Sequence, residues 1–223
     1  MDAGNATEFI RMVAVGAIPV IFAITLHEVA HGWMARRYGD RSAEMLGRLS
    51  LNPLRHVDPL GTVLVPLLTL WLGGLMFGWA KPVPINPRAM RNPKQAMVAV
   101  AAAGPAANLL MAIGWAWSLH LAVGLAQWAP VAGDFLGRMA RVGVIFNVLL
   151  GIFNLLPVPP LDGGRVLRGL VPESVGRRLD AIEPYGLIII LGLLLLGVLN
   201  IVLGPLFRTV LDLVWLFSGV KGG

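Results

Sequence analysis

The chain has 223 residues, of which 57% are hydrophobic and 13% are charged, and it contains no cysteine. A soluble domain carries charges on about a quarter of its residues, so this composition excludes an ordinary soluble domain and indicates a protein embedded in a lipid bilayer. Without cysteine, disulfides and thiolate metal ligands are excluded. The net charge of +6 does not indicate a nucleic-acid partner, because the basic residues lie in loops between apolar runs.

Five to six apolar runs are long enough to cross a bilayer, for which a helix needs roughly 20 residues. The predicted runs cover about 9–35, 60–78, 95–124, 138–157, 186–203 and 205–219. Gly204 and Pro205 separate the last two, since this pair favours the end of one helix and the start of another. We therefore predict an all-α polytopic membrane protein that forms a single domain over 1–223. Its core covers about 9–170, and 186–219 form a C-terminal helical pair.

Basic residues mark the loops that we expect to face the cytoplasm. Lysine and arginine are concentrated in 36–58, 79–94 and 162–183, whereas 125–136 contains neither. This distribution places the N-terminus outside the cell. It also places both loops that flank run 60–78 on the same side, so we expect this run to re-enter the membrane, with a short β element at about 79–87. The alternative is that run 60–78 spans the bilayer as an ordinary helix.

Residues 27–31 read HEVAH and lie inside the first apolar run. On a helix, His27 and His31 project from one face a turn apart, so their imidazoles can bind one Zn²⁺. Glu28 lies on the adjacent flank, where its carboxylate can act as a general base on a water molecule. Three ionisable side chains in five residues are costly at membrane depth unless they bind something, which favours a zinc site over a structural histidine–glutamate pair.

A tetrahedral catalytic zinc site needs a third protein ligand. The candidates are His56, His120, Glu44, Asp58 and Asp162. His56 and Asp58 are better explained as an interfacial turn or cap, and His120 as a satisfied polar residue on the opposite side of the membrane. Asp162 follows run 138–157, which returns to the cytoplasmic side when run 60–78 re-enters. It therefore arrives at the same depth as the two histidines, and we predict it as the third ligand.

HEVAH on the first apolar helix, together with Leu161-Asp162-Gly163 after a later one, resembles the site-2 protease family of intramembrane zinc metalloproteases, peptidase family M50. Residues 103–108, AGPAAN, look like the Gly-Pro-rich helix that this family has between its two metal motifs. The resemblance extends from the first run to about residue 170.

The resemblance implies one Zn²⁺ per chain, held by His27, His31 and Asp162, with Glu28 as the acid/base. It also implies that Asn154 contacts substrate backbone or the developing oxyanion; a polar residue that stabilises a helix break is the alternative. The substrate-pairing β element of the family would correspond here to about 79–87.

The resemblance implies that the substrates are single-span membrane proteins or peptides. It also implies a multi-pass enzyme of a bacterial or archaeal cell membrane. Its active site would lie towards the cytoplasmic side. The 12-residue loop 125–136 has no room for a PDZ domain and no regulatory domain follows the last run, so we expect a minimal member. A zinc or divalent-metal transporter or sensor could use the same ligands; Glu28 and the absence of an internal repeat weigh against it. An inactive scaffold is disfavoured by the intact set of site residues.

Overall fold

The computed structural model of the protein describes residues 3–56, 58–64 and 81–220. In these ranges the chain is almost entirely helical. The α-helices are α1 (Ala3–Arg37), α2 (Ser42–Met45), α3 (Pro93–Ala126), α4 (Pro130–Asn154), α5 (Asp162–Leu170), α6 (Glu173–Ile182), α7 (Gly186–Leu195) and α8 (Val198–Ser218). Shorter helical turns occur at Pro53–Arg55, Pro59–Leu64, Pro87–Ala89 and Glu183–Tyr185.

Four of these helices are long and apolar enough to cross a membrane, which confirms the prediction of an all-α membrane protein. They contain the segments Val13–Arg37, Pro93–Ala126, Pro130–Asn154 and Val198–Ser218. Most of run 60–78 lies outside the described residues, so the prediction that it re-enters the membrane stays a prediction.

Residues 81–86 belong to no helix and form no β-strand, so the β element expected at about 79–87 is not seen in its described part. The residue types explain this. Pro82 and Pro84 have no backbone N–H to donate to a ladder. The N–H of Val83 donates to a side chain, the carboxylate of Glu28. The segment is therefore an extended strap that side chains hold in place.

The C-terminal region differs from the prediction in where its helices divide. The break lies at Gly197, which adopts a positive φ of 72° between α7 and α8, and not at Gly204–Pro205. Glycine takes this left-handed conformation without steric cost. Pro205 lies inside α8, as membrane helices tolerate. With 10 residues, α7 is about 15 Å long and too short to cross a bilayer.

A bundle of α1, α3, α4 and α8 forms the core, in which small side chains allow close packing. Ala112 and Ala116 of α3 are fully buried against Val144 and Val148 of α4. Val214 of α8 joins the same cluster. Helices in lipid associate through such close contacts, because the hydrophobic effect does not drive one apolar helix against another there.

The order of the helices brings several ends together at one side of the bundle. Helix α3 packs against both α1 and α4, and α5 follows α4 after a short turn. The C-terminal part of α1, the first half of α3 and the start of α5 therefore meet. Arg36 and Arg37 end α1 at this side, and the guanidinium of Arg37 lies 5.1 Å from the ring centre of Trp33. This arginine–tryptophan pair is typical of a membrane interface.

Candidate metal centre

Three predicted ligand atoms converge in the buried space between α1, α3 and α5. The Nε2 atoms of His27 and His31 are 3.0 Å apart, and each lies 3.2 Å from Oδ2 of Asp162. All three side chains are buried. The structure thus brings together the residues that the two sequence motifs indicated, although 131 positions separate His31 from Asp162.

The geometry of this triad fits one zinc ion. Ligand atoms at 2.0–2.1 Å from a tetrahedral zinc lie about 3.3 Å from each other. The three observed separations, 3.0 and twice 3.2 Å, are close to that value. Oδ2 of Asp162 is buried and has no hydrogen-bond donor, so a cation is the partner that it lacks. In the part of the chain that the structure describes, no other three His, Asp or Glu side chains converge in this way.

Asp162 reaches the triad because the chain turns sharply after α4. A Cβ atom on Gly163 would collide with the carbonyl of Leu155, and one on Gly164 would collide with the backbone of Pro159. Only glycine therefore lets α5 begin this close to the turn.

A chain of amide side chains fixes the orientation of His27. Nδ1 of His27 is 2.6 Å from Oδ1 of Asn108. The amide nitrogen of Asn108 donates to the carbonyl of Ala23 and to Oδ1 of Asn147. The amide nitrogen of Asn147 donates in turn to the carbonyl of Gly143. Since both N–H groups of this amide are occupied as donors, Asn108 must present its oxygen to His27. Nδ1 of His27 therefore carries the proton, and the Nε2 lone pair is directed at the metal position.

His31 is oriented in the same way by the backbone. Its Nδ1 donates to the carbonyl of Val100 in α3 over 2.7 Å. The approach of α3 is possible because residue 104 is glycine: a Cβ there would lie 2.7 Å from Cε1 of His27 and closer still to Nε2 of His31. The AGPAAN sequence thus contributes a gap at Gly104 and a hydrogen-bond partner at Asn108.

Glu28 stands apart from the three ligand atoms, as the sequence predicted for a general base. Its Oε2 accepts a hydrogen bond of 2.8 Å from the N–H of Val83 in the strap, residues 81–86. The side chain is half-buried. This hydrogen bond fixes the carboxylate of Glu28, which lies on α1, against the strap.

Two further side chains hold the strap, and neither was identified from the sequence. The guanidinium of Arg48 donates to the carbonyls of Lys81 and Pro82, at 2.6 and 3.3 Å, and also to that of Arg55. Oδ2 of Asp40 accepts the N–H of Asn86 over 2.6 Å. Arg48 and Asp40 are both buried, which is unusual for charged residues unless they have partners. Here their partners are the backbone groups of the strap.

The other candidate ligands have structural contacts, as predicted. The ring of His56 bonds to the carbonyl of Ser50, and Oδ1 of Asp58 accepts the N–H groups of Leu60 and Gly61. The ring of His120 bonds to the carbonyl of Ser218.

Asn154 is the last residue of α4, and its amide donates to the carbonyl of Leu150 one turn earlier. The structure does not place it in the hydrogen-bond network of the triad. Asn147, which is in that network, was missed. A polar residue inside an apolar run is the signal that could have identified it.

A cavity of about 670 Å³ lies between the strap and helices α5 and α6. Its walls include Val83, which binds Glu28, and Gly164, two residues after Asp162. Its lining also includes Arg168, whose guanidinium pairs with Glu173 and Asp180. The cavity therefore joins the neighbourhood of the triad to charged side chains of α5 and α6.

Comparisons with known proteins point to one family. The sequence model of peptidase family M50 matches residues 122–198. The chain is 38% identical to "Putative zinc metalloprotease YwhC" of Bacillus subtilis, over 91% of this chain and 90% of that one. It is 32% identical to "Putative zinc metalloprotease Rip2" of Mycolicibacterium smegmatis, over 91% and 72%, and 30% identical to the Mycobacterium tuberculosis protein of that name, over 90% and 73%. No solved structure matches the chain significantly.

Proposed function

The chain belongs to peptidase family M50 and is a zinc metalloprotease, and from this premise we propose that it hydrolyses peptide bonds in membrane-spanning or membrane-proximal segments of other proteins. In this proposal His27, His31 and Asp162 hold the zinc, and Glu28 is the general base and acid. The observation that carries it is the convergence of three buried ligand atoms next to Glu28 in a bundle of membrane helices.

The chemistry divides between the metal and one carboxylate. Bound zinc supplies a Lewis acid that lowers the pKa of water and polarises the carbonyl of the scissile bond. Glu28 takes the proton of the attacking water and then donates it to the leaving amine. The hydrogen bond from Val83 holds Oε2 of Glu28 and leaves Oε1 for the proton.

We propose that an unwound substrate segment binds along the strap, residues 81–86. The strap is extended, belongs to no sheet among the described residues and adjoins Glu28 through Val83. A substrate chain added there would be recognised through its backbone, as in other cases of strand addition. The cavity between the strap and α5 gives the unwound chain room.

Asn154 is proposed as a donor to the developing oxyanion of the tetrahedral intermediate. An amide N–H aimed at that oxygen stabilises charge that appears only in the transition state. Because its amide donates to Leu150 in this structure, this role requires a different side-chain rotamer.

We propose that the N-terminus lies outside the cell and the metal centre towards the cytoplasm. The support is the set of basic loops, since the triad lies at the end of the bundle where α1 terminates in Arg36 and Arg37. A reporter fused into 127–129 should be active only outside, and one fused after Leu170 only inside. Both reporters on one side would contradict this topology.

The central test is cleavage of a transmembrane peptide that contains helix-destabilising residues, by purified protein loaded with zinc. The wild-type protein should cleave it. The Glu28→Gln variant should retain zinc and lose cleavage by at least a hundredfold, because an amide cannot accept the proton. Cleavage by Glu28→Gln at the wild-type rate would contradict the assigned mechanism.

The same variant separates proteolysis from metal transport. A transporter that used these ligands would carry zinc into liposomes, and Glu28→Gln would leave that flux unchanged while no peptide was cut. Asp162→Ala provides the complementary measurement. It should lower zinc affinity, and an unchanged affinity would show that another residue is the third ligand.

A further inference from the structure

Helix α8 packs against the bundle with one face only. This inner face adds Val214 to the buried cluster of α3 and α4, and further apolar side chains pack against that cluster. They are Leu203, Phe207, Val210, Leu211 and Trp215. The opposite face of α8 has no such contact with the described residues.

The outer face carries a stripe that runs the length of the helix. We call it the α8 stripe; its members are Ile201, Pro205, Arg208, Asp212 and Leu216, and all five are exposed. At about 100° per residue they lie within roughly 80° of one another, outside the arc of the helix that the inner-face residues cover. Ile201 is 74% and Leu216 75% exposed, so nothing in the described chain covers either end of the stripe.

The centre of the stripe is charged, which is unexpected on a face that points away from the bundle in a membrane-spanning helix. Arg208 lies ten residues from each end of α8, about 15 Å along the axis from either end of the helix. Neither it nor Asp212 forms an ion pair or a side-chain hydrogen bond with any described residue, including each other. Charged side chains at this depth are costly in lipid and usually face a partner.

From this arrangement we infer that the α8 stripe binds the same stripe of a second copy of this chain, which forms a symmetric dimer in the membrane. The stripe carries one cation and one anion a turn apart. Under a two-fold axis, Arg208 of one copy faces Asp212 of the other and the reverse pair forms at the same time. Both charges of both copies are then neutralised without any other molecule.

Membrane topology supports parallel helices. Both copies insert in the same orientation, so the two-fold axis must lie along the membrane normal. The axial offset of Arg208 and Asp212 is four residues, about 6 Å, which an arginine side chain can span. The spacing of 201, 205, 208 and 212 alternates four and three residues, as along the contact seam of two helices that pack side by side. A partner with charges of one sign would leave either Arg208 or Asp212 unpaired.

Single cysteines test the contact cleanly, because the chain has none of its own. In native membranes, oxidation of the Leu216→Cys variant should give a disulfide-linked dimer of twice the chain mass. The matched control is Leu206→Cys, which is 41% exposed but lies about 80–160° around the helix from the stripe members. It should cross-link at least tenfold less. Equal cross-linking of the two variants, or a product of Leu216→Cys with a different protein, would overturn the inference.

Charge exchange tests the pairing itself. In the Leu216→Cys background, Arg208→Asp or Asp212→Arg alone should reduce the dimer at least tenfold, since like charges then face each other. Exchanging both charges together should restore it. The doubly exchanged protein has an unchanged composition, so its insertion can be checked against the parent. If it inserts normally and still fails to cross-link, the reciprocal pairing is wrong.

Discussion

Oδ1 of Asn108 lies 2.6 Å from Nδ1 of His27, across 81 positions of sequence, and this contact determines which ring nitrogen of the histidine faces the metal. We expect Asn108→Ala to lower zinc affinity about 10- to 100-fold, the usual effect of removing a partner that orients a metal ligand. Competition with a chelator measures this directly. The controls form a series: Asn147→Ala should have a smaller effect, because Asn108 keeps its bond to Ala23, and Asn154→Ala should have none. An equal loss in all three variants would contradict the orienting role.

Gly104 provides a second test, of the space beside the histidines. A Cβ atom there would lie 2.7 Å from Cε1 of His27, within the wall of the metal site. Gly104→Ala should therefore abolish zinc binding and cleavage. The matched control is Gly114→Ala in the same helix, where a Cβ would meet nothing within 4 Å. It should keep zinc and raise helix stability by about 0.5–1 kcal/mol. Thermal unfolding and zinc content of the two variants check this, and an active, zinc-loaded Gly104→Ala would contradict the packing described here.

Arg48 should affect catalysis without affecting the metal. Its guanidinium holds Lys81 and Pro82, and thereby the strap that binds Glu28. We expect Arg48→Ala to reduce the cleavage rate at least tenfold while zinc affinity stays within twofold of wild type. Arg48→Lys should restore little, because an ammonium cannot donate to three carbonyls in the fixed geometry of a guanidinium.

A suitable control for Arg48 is Arg36→Ala. That residue pairs with Glu44 at the surface, with Nη2 and Oε1 3.2 Å apart, and such pairs contribute about 0–1 kcal/mol. Its cleavage rate should equal that of the wild type. If both arginine variants lose activity equally, the effect of Arg48 is one of charge and not of strap position.

The contact between α5 and α6 should depend on pH. Hydrogen bonds and charge attraction from Arg168 lower the pKa of Glu173 below its usual 4.5. A carboxylate with a lowered pKa in the folded state stabilises that state above its unfolded pKa, and the contribution is lost as the pH falls through the folded value. Arg168 itself remains charged, because Glu173 and Asp180 raise its pKa.

Hydrogen exchange of the α6 amides is the measurement for this pair of helices. Protection factors, which correct for the intrinsic pH dependence of amide exchange, should be high at pH 7 and should fall below pH 4.5. Arg168→Ala should give low protection factors at both pH values. Glu183→Ala, which removes an exposed carboxylate without a described partner, should leave the profile unchanged. A pH dependence that persists in Arg168→Ala would show that another group causes it.

The convergence of His27, His31 and Asp162 could be predicted because each position depends on local spacing or on chain topology. His27 and His31 are four residues apart on a helix, and the alternation of basic loops indicated that Asp162 returns to their side of the membrane. The outer parts of the site could not be predicted. Whether Asn108, Asn147 and Val100 face the histidines depends on the rotation of α3 and α4 about their axes, which the nearly uniform apolar sequences of these helices do not specify.

The errors in the C-terminal region and the strap have physical causes too. Gly204–Pro205 looks like a helix break, but a proline removes only one hydrogen bond, and in a bundle α8 continues through it. The helix break lies instead at Gly197, which adopts the left-handed conformation. Nothing in the sequence distinguished this glycine as the break. A β element was expected at about 79–87, yet Arg48, Asp40 and Glu28 supply the contacts that a neighbouring strand would have made.

The position of the histidines along α1 sets a depth for the reaction. His31 and His27 lie six and ten residues before Arg37, about 9 and 15 Å from the end of the helix. Under the proposed function, a helical substrate that enters from the lipid must unwind about two to three turns to place a peptide bond there. Every residue that unwinds in lipid loses its backbone hydrogen bond. The enzyme would therefore select substrates by the free energy needed to unwind their helices. Glycine, proline or asparagine in the last turns of a span would lower that free energy and identify a protein for cleavage.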